Sequence, residues 1–173
     1  MKDKKVKIVL DTDVILHFLK GGRFSLLPEI FQECEYIMLS TTYDELKDKA
    51  QRDQIDNQIN FIRNITKIEF EPKGEMRKVY ADLTKQFGRG ESACMAYCQF
   101  ENHVIGSNNT KDIKDYCTTN NIAYLTTADF LYYAITRGKM TEAQALELIN
   151  SARQLGSNVP NFNYSTHKPT TIM

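Results

Sequence analysis

The chain has 173 residues, 42% hydrophobic and 25% charged, with 22 Lys plus Arg balanced by 22 Asp plus Glu. This length fits one domain with a real core. The formal net charge of zero excludes the global basic field carried by proteins that coat RNA or DNA. No apolar run approaches membrane length, and the opening MKDKKVKIVLD is too briefly apolar for a signal core, so neither a membrane span nor secretion is expected.

Residues 6–10 are rich in β-branched side chains and read as a buried central strand. Residues 13–20 place Val14, Ile15, Phe18 and Leu19 at helical spacing before Gly21-Gly22. Residues 24–33 predict a short helix, residues 36–39 a second strand, and residues 43–64 a long, mostly polar helix with a sparse stripe of Leu46, Ile55, Ile59 and Ile62. Residues 67–70 read as a strand and 74–87 as a helix. Gly88-Arg89-Gly90 breaks that helix, and residues 91–100 form a compact apolar one. A strand at 104–105, a helix at 110–119, a strand at 123–125 and helices at 129–136 and 141–155 complete the pattern. This alternation implies a three-layer α/β/α domain with a central parallel sheet of about five strands, spanning residues 1–156. Residues 157–173 are polar and aperiodic, a tail or a strap over the surface.

Cys34, Cys94, Cys98 and Cys117 form no CxxC pair, and none of the three histidines is spaced as a zinc partner. Buried free thiols and a cytoplasmic protein are the expectation. His17, His103 and His167 read as incidental, and the aromatic residues 130–133 as core packing.

Chemistry is carried by scattered acids: Asp11 and Asp13 in KIVLDTDVILHFL, Glu45 in LSTTYDELKDK, Glu91 in GRGESACMAYC, and Asp112 in IGSNNTKDIKDYC. Asp11 and Asp13, Glu45 and Asp112 each follow closely on a strand, and Glu91 opens a helix. In an open α/β sheet the carboxyl ends of the strands share one crevice, so these acids would converge there. Converging carboxylates repel unless a cation relieves them, and hard oxygen ligands select Mg²⁺ or Mn²⁺.

The same segments resemble the PIN-domain family of metal-dependent ribonucleases. KIVLDTDVILHFL is similar to that family's opening strand and helix, and STTYDELKD to its second acidic motif. GRGESACMAYCQ resembles the GE-plus-small-residue helix of a toxin-like subgroup, and IAYLTTADFLYYAITRGKMT that subgroup's closing elements. The resemblance implies hydrolysis of RNA with Asp11, Glu45 and Glu91 as catalytic acids, and Asp11, Glu91, Asp112 and Asn109 around the metal. Thr12, Asp13 and Ser107 would orient water or phosphate. It also implies a small antitoxin protein as a partner and admits a homodimer. One motif departs: the family's Asp after the fourth strand falls on Asn109, or on Asn108, which weakens a second metal position unless Asp112 substitutes.

Plainer readings stand beside these. Asp13 fits a helix cap as well as chemistry, Glu45 an ordinary surface acid, Glu91 a favourable helix-start charge, and Asp112 a first-turn helix acid. Lys47, Lys49 and Arg52 read as a solvated face. LDTDVI also matches the DxDx[T/V] pattern of haloacid-dehalogenase-type phosphatases, with Asp11 as nucleophile and Ser40 or Thr41 as the second motif. A catalytically weakened PIN-like binding module is the non-enzymatic alternative.

Overall fold

A computed structural model describes residues 5–173; the charged residues 1–4 that open the chain lie outside it. Five strands form one parallel sheet: β1 (Lys7–Leu10), β2 (Glu35–Leu39), β3 (Ile65–Ile68), β4 (Val104–Gly106) and β5 (Tyr124–Leu125), in the order β3-β2-β1-β4-β5. Among the described residues eight α-helices surround it: α1 (Thr12–Lys20), α2 (Ser40–Glu45), α3 (Lys49–Asn57), α4 (Gly74–Leu83), α5 (Arg89–Glu101), α6 (Thr110–Thr119), α7 (Thr127–Thr136) and α8 (Glu142–Gln154). The expected three-layer α/β/α architecture is what forms.

The two-residue period of a strand divides the core in two. Ile8 and Leu10 of β1 and Tyr36 and Met38 of β2 face one side, packing with Phe18, Phe31, Phe130 and Leu148. Val9, Ile37, Leu39 and Ile105 face the other, against Ala93, Cys94, Met95, Ile113 and Cys117. Strands buried on both faces read as unbroken apolar runs, which is why residues 8–10 and 36–39 carry no alternation. All four cysteines are free, and Cys94, Cys98 and Cys117 are buried. Phe130 and Leu131 are fully buried, as core packing requires. Among the described residues no helix is long and apolar enough to cross a membrane.

Three expectations need correction. The long helix at 43–64 is two helices. Leu46 turns extended (ψ 117°) to bury its side chain, and Asp48 then caps α3 by accepting the Gln51 N–H at 2.9 Å. A π-helical turn, Gln58–Ile62, closes that segment. Residues 24–33 shorten to a 3₁₀ turn, Phe24–Glu29, around Pro28, which cannot donate a helical hydrogen bond.

The histidines are not incidental either. Buried His17 shares a 2.8 Å hydrogen bond with Thr127, and burial, then Lys20, lowers its pKa to about 4. His167 lies 2.8 Å from the fully buried Asp129 carboxylate. It anchors residues 157–173, which wrap over α7: Thr171 Oγ1 donates to the Tyr124 carbonyl, and the Tyr133 hydroxyl donates to the Thr171 carbonyl.

Candidate active site at the sheet switch point

The chain builds outward from β1 through β2 to β3, then crosses back to lay β4 on the other side of β1. Such a reversal opens a crevice beyond the carboxyl ends of the two central strands. Asp11 stands at that point. Its backbone N–H donates to the Gly106 carbonyl at the end of β4 (2.8 Å), and its side chain caps α1 by accepting the Thr12 N–H at 2.8 Å. It is 6% exposed.

Ser107, the residue after β4, is fully buried and donates its hydroxyl to Asp11 at 3.1 Å; Asp13 lies 3.4 Å from the same hydroxyl. Asp13 is held harder by backbone: its Oδ1 accepts the Val14 N–H at 2.6 Å and its Oδ2 the Asn108 N–H at 2.8 Å. The N-cap of α1 is Asp11 and not Asp13, which sits in the first turn and stitches α1 to the loop after β4.

Glu45 ends α2, where the break at Leu46 leaves it facing the start of α5. Its Oε1 accepts the Gly90 N–H at 2.8 Å, and its Oε2 accepts the Thr12 hydroxyl at 2.6 Å. Glu91 follows in the first turn of α5, 9% exposed, and its Oε1 is buried without a hydrogen-bond partner. Asn109 precedes α6 as its N-cap residue, and its amide nitrogen donates to Asp112 at 2.7 Å.

The charges of these acids act on one another. Burial first, then the charges of Asp13, Glu91 and Glu45, raise the Asp11 pKa well above the ordinary carboxylate range, against the lowering pull of the Thr12 N–H. Burial raises Asp13 to about 6, opposed by its N–H donors. Burial, then Asp112 and Asp13, raise Glu91 to about 7, with an Asn109 side-chain hydrogen bond opposing. The sequence-expected acids Asp11, Asp13, Glu45 and Glu91 therefore occupy one crevice, with Asp112 at its edge. Among the described residues no three His, Cys, Asp or Glu side chains close into a ready ligand cage. The acids stand near enough to repel, yet apart. An oxygen-only donor set, mutual repulsion and an unpartnered buried Glu91 oxygen fit a hard divalent cation that keeps several of its own waters, as Mg²⁺ commonly does.

Two backbone contributions were not legible in the sequence, although Asn108 is an alternative position there for the missing acid. Gly90 supplies the N–H that anchors Glu45, and a Cβ there would lie 2.6 Å from Glu45 Oε2. The only sequence signal was a glycine beside an acid. Asn108 tethers Asp13 through its backbone, while its side-chain oxygen lies 3.4 Å from the Thr127 N–H of α7.

No family model matches the sequence, and no curated protein matches it. Solved structures do. VapBC2 from Rickettsia felis, bound to a DNA fragment from its promoter, contains a chain that superposes with a TM-score of 0.52 at 15% identity, over 70% of this chain and 98% of that one. VapBC-1 from nontypeable Haemophilus influenzae gives 0.52 at 16% identity, over 70% and 98%. The protein has the PIN-domain fold. At these identities the likeness establishes architecture, and the chemistry of this PIN-fold chain is argued from its own acids.

Proposed function

We propose that this PIN-fold protein is a metal-dependent ribonuclease that hydrolyses single-stranded RNA, and that it acts as the toxin of a toxin–antitoxin pair. The observation that carries the nuclease reading is the buried acid cluster at the switch point, with Glu91 Oε1 lacking any partner. The similar solved structures are VapBC assemblies, toxin paired with antitoxin, which supports the paired role and a small protein partner.

Asp11 and Glu91 would hold Mg²⁺ or Mn²⁺, with Glu45 contributing directly or through a water and Asp112 and Asn109 flanking. Such an ion, when bound, lowers the pKa of a coordinated water and screens the phosphate oxygens. The chain's own groups do the remaining work. The Gly90 N–H and Thr12 hydroxyl fix both oxygens of Glu45, leaving lone pairs to orient the attacking water. Ser107 sets the rotamer of Asp11 through its hydroxyl. Asn109 ties its amide to Asp112 at the edge of the crevice.

The phosphatase alternative fares worse. It needs the second acid of LDTDVI free to move a proton, whereas each Asp13 oxygen accepts a backbone N–H. The test is hydrolysis of a labelled oligoribonucleotide in Mg²⁺ or Mn²⁺, arrested by EDTA and abolished by Asp11→Asn. Cleavage that survives both, or fast turnover of small phosphomonoesters through a covalent intermediate on Asp11, would sink the reading.

A further inference from the structure

The acid cluster is flanked by grooves that differ in their charge. On one flank, a groove of about 390 Å³ beside Glu45 is lined by Thr41, Asp44, Lys47 and Arg89. Arg89 also lines a second groove of about 590 Å³, together with Pro72, Arg77, Tyr80 and Thr84, with no acid on its walls. One side chain, Arg89, lines both, so the two grooves meet at it. On the other flank, a groove of about 670 Å³ between α4, α5 and α6 is lined by Asp82, Asp112 and Asp115 against a single Lys111. Of the three, only the Arg77–Arg89 groove carries cations with no acid on its walls.

We propose that the Lys47–Arg89–Arg77 track is the path along which a single-stranded RNA runs into the acid cluster, entering from the α4 side and not over α6; this rests on the ribonuclease reading above. Arg77, Arg89 and Lys47 are exposed, and no ion pair among the described residues takes up their charge. Lys47 donates only to the Asp44 carbonyl, at 3.0 Å, so all three keep a positive charge that can meet phosphates. Tyr80 is half-buried in the same wall, its ring held edge-on by Phe70 at 5.0 Å. A fixed aromatic beside a cationic track is how proteins grip single strands, stacking a base while cations follow the backbone. In the opposite groove Asp82 is paired with Lys85 at 2.6 Å, and Asp112 and Asp115 are left to repel a phosphate backbone, so charge favours entry from the arginine side.

The experiment is fluorescence anisotropy with a labelled oligoribonucleotide on the full chain in EDTA, across a salt series, with gels confirming that the probe stays intact. Removing one phosphate contact lowers the salt slope by about 0.7 for a single strand. Arg77→Ala and Arg89→Ala should each weaken binding severalfold with that slope loss, Arg77→Glu should weaken it further, and Lys111→Ala should leave both unchanged. Circular dichroism melting checks that these surface variants fold. Wild-type affinity and slope in the Arg77→Ala/Arg89→Ala double variant, an equal effect from Lys111→Ala, or no RNA binding by the wild type would each overturn the track. Protein that binds through these arginines but fails to cut in Mg²⁺ or Mn²⁺ leaves the track standing and sinks the ribonuclease reading instead.

Discussion

Glu45 and Gly90 fix each other's position: the carboxylate accepts the Gly90 N–H at 2.8 Å, and a Cβ on residue 90 would fall 2.6 Å from its Oε2. The clash is with the end of an exposed side chain, which can swing away. Gly90→Ala should therefore cost little stability, less than about 1 kcal/mol, yet move Glu45 out of the crevice. The expected result is a near-unchanged melting temperature with metal-dependent RNA cleavage reduced roughly tenfold or more. A variant with full activity would show that Glu45 need not stand where Gly90 holds it.

Asp11→Asn should abolish cleavage while raising the stability of the metal-free protein. Asparagine keeps an oxygen to cap α1 by accepting the Thr12 N–H. It removes a buried charge that Asp13, Glu91 and Glu45 all oppose. Trading site strain for stability is a recurrent pattern at active sites. Thermal melts in EDTA at pH 7.5 read the gain, and a lower melting temperature would count against an electrostatically strained cluster.

The pH dependence has a definite sign. Glu91 is raised from 4.5 to about 7 in the folded protein, chiefly by burial and then by Asp112. A raised carboxyl binds its proton more tightly folded than unfolded. Its contribution to stability is thus fully present below the unfolded value and lost as pH rises through about 7. Metal-free protein should melt lower at pH 8 than at pH 5.5, by a few degrees at about 2–4 °C per kcal/mol, and Glu91→Gln should reduce the difference, leaving the share carried by the raised Asp11 and Asp13. Adding Mn²⁺ should restore stability at pH 8 and do little at pH 5.5, where protons hold the site.

Asn109 and Asp112 test the departure from the usual PIN acid set. The Asn109 amide donates to Asp112 at 2.7 Å. Asn109→Asp replaces that donor with a second carboxylate, so the metal-free protein should lose stability. Calorimetric Mn²⁺ titration should show tighter binding or an added site, with activity rising. Unchanged affinity and stoichiometry would place Asn109 outside the metal site.

The strap of residues 157–173 holds α7 through Asp129, whose Oδ1 accepts from His167 Nε2 at 2.8 Å and from the Thr170 N–H at 3.1 Å. Its Oδ2 accepts the Thr126 N–H at 2.8 Å. Losing one partner of a fully buried carboxylate costs about 1–3 kcal/mol. His167→Ala should lower the melting temperature and speed amide exchange in α7, and a neutral effect on both would reduce the strap to a loose tail.

The central strands were legible because a parallel sheet buried on both faces demands short unbroken apolar runs, and IVL at 8–10 and YIML at 36–39 are such runs. Asp11 was legible for a related reason: an acid closing an apolar strand needs a purpose in the crevice beyond it. Glu91 stood out as a lone charge on an otherwise apolar helix. What the sequence could not supply was anything set by long-range contact. The break after Glu45 depends on Leu46 finding the core. The anchoring of Glu45 depends on a glycine N–H forty-five residues away in the chain. The pairing of His167 with Asp129 depends on a strap whose composition looks unstructured. Local propensity reads elements, whereas these contacts exist only once the sheet has brought distant segments together. The acids were written in the chain, and the tertiary fold alone decided which oxygens were tied down by N–H donors and which, as at Glu91, were left facing inward without a partner.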